Sequence, residues 1–228
     1  MSTLRPVDEN LWEIERPLKV PGLRLNHRMT VARLRNGDLW IHSPVEFDPA
    51  LGQSLAALGP VRHLVAPNCY HDLYWPAWMK HYPDACFYCP QGFPEEHRDW
   101  QYGYLLTPDS VESWSDELPK LFVAGMPRIN EYVFLHRASR TLIVADLVFN
   151  LDVPSQNVVG KLFLKLNGIY GRVGCSNYFR SFIRSQAEFK ASMTKLLELD
   201  FDRLLMGHGA IIAPGGKEEL ERALAWQH

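Results

Sequence analysis

Three short apolar runs in this chain each stop abruptly on polar side chains, and this repeated pattern limits the folds open to it more than any other feature. Val61 to Ala66 is followed by Pro67 and the dense segment Asn68-Cys69-Tyr70-His71-Asp72-Leu73-Tyr74-Trp75. Thr141-Leu142-Ile143-Val144-Ala145 stops on Asp146, and Phe201 to Met206 stops on Gly207-His208-Gly209. Short apolar runs bounded by turn residues read as buried strands. Such strands alternating with helices make an α/β layer architecture. There the strand ends converge on one rim, and ligands bind at that rim.

The intervening segments agree with this class. Leu11-Trp12-Glu13-Ile14-Glu15 alternates apolar and charged residues, as a half-buried strand does. Met29 to Leu34 leads through Asn36-Gly37 into Leu39-Trp40-Ile41-His42, and Asn-Gly supplies the positive φ angles of a tight hairpin. Asp48-Pro49 opens a helix with Leu51, Leu55 and Leu58 on one face, and Gly59 ends it. A short helix is expected over Pro76 to His81, then a strand over Ala85 to Cys89. Tyr132 to Leu135 pairs with Thr141 to Ala145 across a short link. Residues 91 to 120 read as irregular. Phe182, Phe189, Met193, Leu196 and Leu197 predict one helix face, and a last helix spans Lys217 to Trp226. Residues 150 to 183 read as an insertion within a single domain covering 1–228. Its stretch Gly160 to Gly174 mixes Leu162, Phe163, Leu164, Leu166, Ile169 and Tyr170 with basic residues, as an amphipathic helix or a lid does.

Composition narrows the function classes. With 46% hydrophobic residues, the 228-residue chain can bury a sizeable core. A formal charge of −2 and the lack of a basic stripe argue against nucleic acid as a partner. No run of about 18 apolar residues is present, so no transmembrane span is expected. The N-terminal residues show no secretory signal, and the expected location is cytoplasmic. Cys86 and Cys89 have C-x-x-C spacing, but they sit in a predicted strand without a second such pair and read as small buried side chains.

Asp146 is the strongest single candidate, because a carboxylate after an apolar strand is costly to bury unless it is paired or bound to a cation. His208 between two glycines can approach a ligand closely. His71 and Asp72 are adjacent, so both can reach one ion only if the backbone turns there. His42, His63 and His81 have no partner at ligand spacing and read as core or surface residues.

The order of these motifs resembles the metallo-β-lactamase superfamily. Ala66-Pro67-Asn68-Cys69-Tyr70-His71, Thr141 to Leu147 and Phe201 to Gly209 are similar to one of its branches, the domain-of-unknown-function-4336 family. The resemblance implies an αβ/βα four-layer sandwich with a helical insertion. It also implies a metal site, from which this sequence departs. The superfamily's His-x-His-x-Asp-His motif is absent. In one register Asn68, Tyr70, Asp72 and Leu73 take its four places. Shifted by one, Pro67 and Cys69 replace the first two histidines, while His71 and Asp72 take the Asp and His places in swapped order. The histidine of the next turn has no counterpart near Gly125-Met126-Pro127-Arg128. The bridging Asp matches Asp146 and the last His matches His208. A binuclear centre is therefore not expected, whereas one divalent transition metal (Zn, Mn or Fe) on His71, Asp72, Asp146 and His208 is.

Three functions follow as expectations. The first is a mononuclear metal-dependent hydrolase of a small ester, amide or lactone, with Asp72 or Asp146 as base. Asn68, Tyr70, Tyr74, Trp75 and Trp78 would wall its substrate side. The second is a degenerate member with no metal, serving as a binding module for a small molecule or a protein. The third is an iron-dependent redox enzyme. A homodimer stays open in each case.

Overall fold

A computed structural model describes residues 3–100 and 103–227. Met1 and Ser2 of the N-terminus, Gln101 and Tyr102 of the irregular stretch, and His228 lie outside the described residues.

The first sheet runs in sequence order: β1 (Arg5–Asp8), β2 (Leu11–Val20), β3 (Leu23–Arg33), β4 (Leu39–His42), β5 (Val61–Val65), β6 (Cys86–Pro90) and β7 (Tyr104–Leu106). Its first four strands are antiparallel, and β4 to β7 are parallel. The Asn-Gly link between β3 and β4 forms the expected hairpin, with Gly37 at φ +91°. Parallel pairing needs a crossover. Helices α1 (Pro49–Leu58), α2 (Trp75–His81) and α3 (Phe93–Glu96) supply one between each parallel pair in turn. Asp48 caps α1 by accepting from the Leu51 amide, and Gly59 closes it.

The second sheet contains β8 (Lys120–Phe122), β9 (Tyr132–His136), β10 (Thr141–Val144) and β11 (Arg203–Met206), in the order β11-β10-β9-β8. Strands β10 and β11 are parallel, and their long connection carries α4 (Val158–Leu166), α5 (Asn177–Arg180) and α6 (Gln186–Leu197). Helix α7 (Gly216–Leu224) ends in a 3₁₀ turn, Ala225–Gln227.

Side-chain alternation makes four layers from these parts. Leu11, Trp40, Val65 and Tyr88 from the first sheet meet Tyr132, Phe134, Ile143 and Leu205 from the second. The opposite face of the first sheet, with Ile14, Val31, Ile41 and Leu64, packs on Leu51, Leu55, Trp75 and Trp78 of α1 and α2. The far face of the second sheet, with Val133, Leu142, Val144 and Leu204, packs on Phe189, Met193, Leu196 and Leu220 of α6 and α7. This is the αβ/βα sandwich that the resemblance implied.

Some local expectations shift. Strand β3 begins at Leu23, six residues before the expected Met29. Phe182 follows α5 and precedes α6, because Ser185 caps α6 by accepting from the Glu188 amide. Phe182 still joins the same core cluster as Phe189 and Met193, which explains the apparent common face. Residues 91 to 120 are not wholly irregular, since they hold α3 and β7. Cys86 and Cys89 are free, with Cys89 buried on β6. Among the described residues no helix is long and apolar enough to cross a membrane.

Candidate metal centre

All three apolar runs deliver their polar ends to one place. After β5, Asn68 folds the chain back by accepting from the amides of Tyr70 (2.9 Å) and His71 (3.1 Å). Trp75 Nε1 donates to the His71 carbonyl at 2.7 Å and holds the loop from the helix side. After β10 the chain presents Asp146, and after β11 it presents His208. Gly207 is required between them: a Cβ there would lie 2.9 Å from the Ala145 carbonyl oxygen and 3.1 Å from His71 Cε1.

A fourth element completes the cluster. Arg28 on β3 donates its amide to the Gly207 carbonyl at 2.9 Å and Nη1 to the Met206 carbonyl at 2.6 Å. Buried ion pairs to Glu13 and Glu15 hold the Arg28 guanidinium. This stitch brings His27, the preceding residue, beside His71 and His208. The three imidazoles each offer a nitrogen, and these atoms lie within 4.8 Å of one another, all buried.

One nitrogen of each ring is tied down. His208 Nδ1 lies 2.6 Å from the Asn26 carbonyl oxygen. His27 Nε2 lies 3.2 Å and 3.1 Å from the carbonyl oxygens of Ser43 and Pro44. Carbonyl oxygens only accept, so these nitrogens carry the protons, which leaves the His208 Nε2 and His27 Nδ1 lone pairs free in the neutral rings. His71 Nδ1 meets the Ser43 hydroxyl, and its Nε2 is buried without an aligned hydrogen-bond partner. When Nδ1–H donates to Ser43 Oγ, Nε2 also presents a lone pair. Three lone pairs supported in this manner fit a divalent transition ion.

Asp146 lies between two of these rings, Oδ2 at 3.2 Å from His71 Nε2 and Oδ1 at 3.3 Å from His208 Nε2. Burial pushes its carboxyl up, but the adjacent His71 and His208 outweigh this and hold it well below the usual carboxylate range. Burial lowers the His208 pKa, and Asp146 more than reverses the effect, so the net shift is upward. Burial, then the neighbouring His71 and His208, keeps His27 well below 6.5 and therefore neutral.

Glu131 supports the Asp146 turn from beneath. It is fully buried just before β9, and its carboxylate accepts from the amides of Ala145 (3.0 Å), Asp146 (3.0 Å) and Leu147 (3.2 Å). Asn68 Nδ2 bridges Glu131 Oε2 (3.2 Å) and Asp146 Oδ2 (2.9 Å). Burial and then the Asp146 charge push the Glu131 carboxyl up to about 7.

The residues singled out from sequence therefore divide. His71, Asp146 and His208 come together, with Asn68 as their brace. The backbone does turn at His71-Asp72, but the Asp72 carboxylate faces His97 Nε2 at 3.0 Å and stands outside the imidazole cluster. Tyr70 lines the cavity that opens from the cluster, whereas Trp75 and Trp78 pack under α2 against the first sheet. Those two do not wall the cavity, because an amphipathic crossover helix turns its aromatics to the sheet. Tyr74 stacks edge-on to His27, with ring centroids 5.8 Å apart. His42 and His63 are buried core residues, and His81 stacks on Phe47 at the surface. His27 escaped the sequence reading, although it occupies the apolar phase of the alternation Leu23, Leu25, His27, Met29. Glu131 left no sequence signal, since its partners lie fourteen to sixteen residues later on another turn.

Comparison with known proteins places the fold. The family model described as domain of unknown function (DUF4336) matches residues 8–166. No curated protein matches the sequence. Among solved structures, a metallo-β-lactamase from Pontibacter korlensis aligns with a TM-score of 0.67 at 10% identity, covering 100% of this chain and 99% of that one. The metallo-β-lactamase FIM-1 from Pseudomonas aeruginosa in its mono-zinc form aligns at 0.66 and 12% identity, covering 99% and 94%. The metal-soaked Flv1 flavodiiron core from Synechocystis sp. PCC6803 aligns at 0.69 and 10% identity, covering 99% and 60%. At these identities the likeness is one of fold.

Proposed function

The chain belongs to the DUF4336 family and carries the metallo-β-lactamase fold, and from that premise we propose that it is a mononuclear metal-dependent hydrolase of a small ester, amide or lactone. The supporting observation is the buried trio His27, His71 and His208, whose ring nitrogens lie within 4.8 Å of one another and which are each held by a hydrogen bond at one nitrogen. These three residues would hold the ion, and zinc or iron suits an imidazole set. A divalent ion there supplies Lewis acidity toward a carbonyl oxygen and makes a water more acidic. Asp146 is the proposed base: its carboxylate stays ionised between two imidazoles and is held in place by Asn68 and the Glu131-braced turn. Asp72 is assigned no proton transfer, because its carboxylate is paired with His97. The small-molecule substrate enters through the adjoining cavity, which opens directly onto His27, His71, Asp146 and His208.

One observation favours a second reading. Asp146 lies within ion-pair distance of both His71 and His208, so with protonated imidazoles the carboxylate balances the cluster without an ion, which suits a binding module. Elemental mass spectrometry on wild type, His27→Ala and His208→Ala separates the two. The hydrolase reading expects about one equivalent of a transition metal per chain in wild type and loss of it in both variants. A metal-free wild type after supplementation, or variants that retain the metal, would overturn it.

A further inference from the structure

The cavity over the imidazole cluster has a one-sided chemistry. Its volume is about 260 Å³. The polar groups His27, His71, Asp146 and His208 form one buried patch in its wall. The rest of the surface is aliphatic or aromatic apart from Ser176 and the tyrosines Tyr70 and Tyr178. The Ser176 hydroxyl is already engaged by the Phe179 amide at 3.1 Å. Tyr70 and Tyr178 are exposed, as are Leu73 and Phe163, and these four mark the mouth. Among the described residues no lysine, arginine or glutamate lines the cavity.

Three separate parts of the chain supply most of the apolar walls, and Leu73 and Ile129 complete them. The β2–β3 hairpin extends beyond the first sheet and turns Leu23 and Leu25 inward, in the same alternation phase as His27. Phe149 follows the Asp146 turn, and its ring stacks on His208 at 5.7 Å. The insertion contributes Phe163 and Ile169. A substrate with polar groups along its length would leave them unpaired on these walls, which penalises it strongly. An apolar tail meets no such penalty. A space of about 260 Å³ with an open mouth suits an apolar tail of medium length.

We infer that the cavity binds the acyl tail of a medium-chain carboxylic-acid derivative, an ester, thioester or lactone, with its carbonyl group at the His27–His71–His208–Asp146 patch. This rests on the reading of that patch as the reacting end and adds the substrate class. The insertion then does more than cap the domain: it forms the outer wall of the acyl site.

The test uses neutral, non-hydrolysable methyl ketones of increasing chain length, 2-pentanone to 2-undecanone, titrated calorimetrically into full-length protein dialysed free of metal. Affinity is expected to rise about fourfold per added methylene, the gain for burying one, and to level off once the tail reaches the exposed mouth residues Leu73 and Phe163. Leu25→Glu places a carboxylate in the half-buried wall and is expected to remove this slope, with circular dichroism confirming the fold. If Leu25→Glu does not fold, Phe163→Ala on the exposed side of α4 takes its place and is expected to reduce affinity for the longest ketones alone. Affinity independent of chain length, or a slope unchanged in the folded variant, overturns the inference. Because binding is read without metal, that failure is distinct from a failure of the metal reading, which elemental analysis decides.

Discussion

Replacing Glu131 with Gln tests the idea that a buried carboxylate positions Asp146. The wild-type Oε1 accepts from the Ala145 and Leu147 amides, and Oε2 accepts from the Asp146 amide and Asn68 Nδ2. A Gln side chain can keep the first pair through its carbonyl. Its NH₂ group then faces two donors and can accept from neither. Hydrogen bonds to charged groups contribute about 1.5–3 kcal/mol each. Removing a buried charge offsets part of the loss of two, so the expected destabilisation is about 2–4 kcal/mol. For a chain of this length a loss of about 3 kcal/mol lowers Tm by about 6–12 °C. The assay is thermal unfolding at pH 8, with metal affinity measured alongside by competition with a chelator. Asn68 also accepts from the His71 amide, so freeing its Nδ2 from residue 131 loosens the turn that carries a metal-holding residue, and a lost support of this sort typically weakens metal binding by about 10–100-fold. Glu112→Gln is the control, because it breaks a buried pair with Lys120 away from the cluster. That variant is expected to lower Tm while leaving metal affinity unchanged. A Glu131→Gln protein that melts with wild type, or that loses metal no more than Glu112→Gln does, would refute the positioning role.

Other expectations are simpler to check. Gly209 has φ +97°, and a Cβ there would lie 2.1 Å from the Asn150 carbonyl oxygen; Gly209→Ala should destabilise by at least about 2 kcal/mol in urea unfolding, and an unchanged midpoint would show that the turn relaxes freely. Burial holds His63 and His136 below their usual 6.5. Their folded pKa values are depressed, so the unfolded chain binds protons more readily, and stability present above pH 6.5 is lost as the pH falls through that value toward the folded ones. Urea midpoints at pH 7.5 and 5.5 should therefore differ in that direction, and a His63→Gln/His136→Gln double variant should reduce the difference, with the remainder left to the buried His27 and His42.

Much of the architecture was legible in local pattern. The Asn36-Gly37 hairpin, the Asp48-capped helix and the three strands ending on His71, Asp146 and His208 depend on neighbours a few residues apart, which carry their own periodicity and turn chemistry. Residues 150 to 183 break that pattern, and their helix α4 exposes Val158, Val159 and Leu162 while burying Leu164. Sequence reading failed where a residue's role depends on distant partners. Asp72 and His71 are adjacent in the chain, but the turn that admits His71 to the cluster sends Asp72 to His97. Trp75 and Trp78 look like substrate-side aromatics in a list of residues, and helix packing turns them inward.

Local alternation and strand-end chemistry were sufficient to specify a layered α/β fold and to nominate Asp146 and His208, because both properties are written in short windows of residues. The membership of His27 was decided only by the packing of β3 against the end of β11, through the Arg28 amide and the Gly207 carbonyl. The brace at Glu131 was likewise decided by the meeting of two loops. Coordination chemistry depends on distances of a few ångströms between atoms remote in sequence, and the folded chain alone sets those distances.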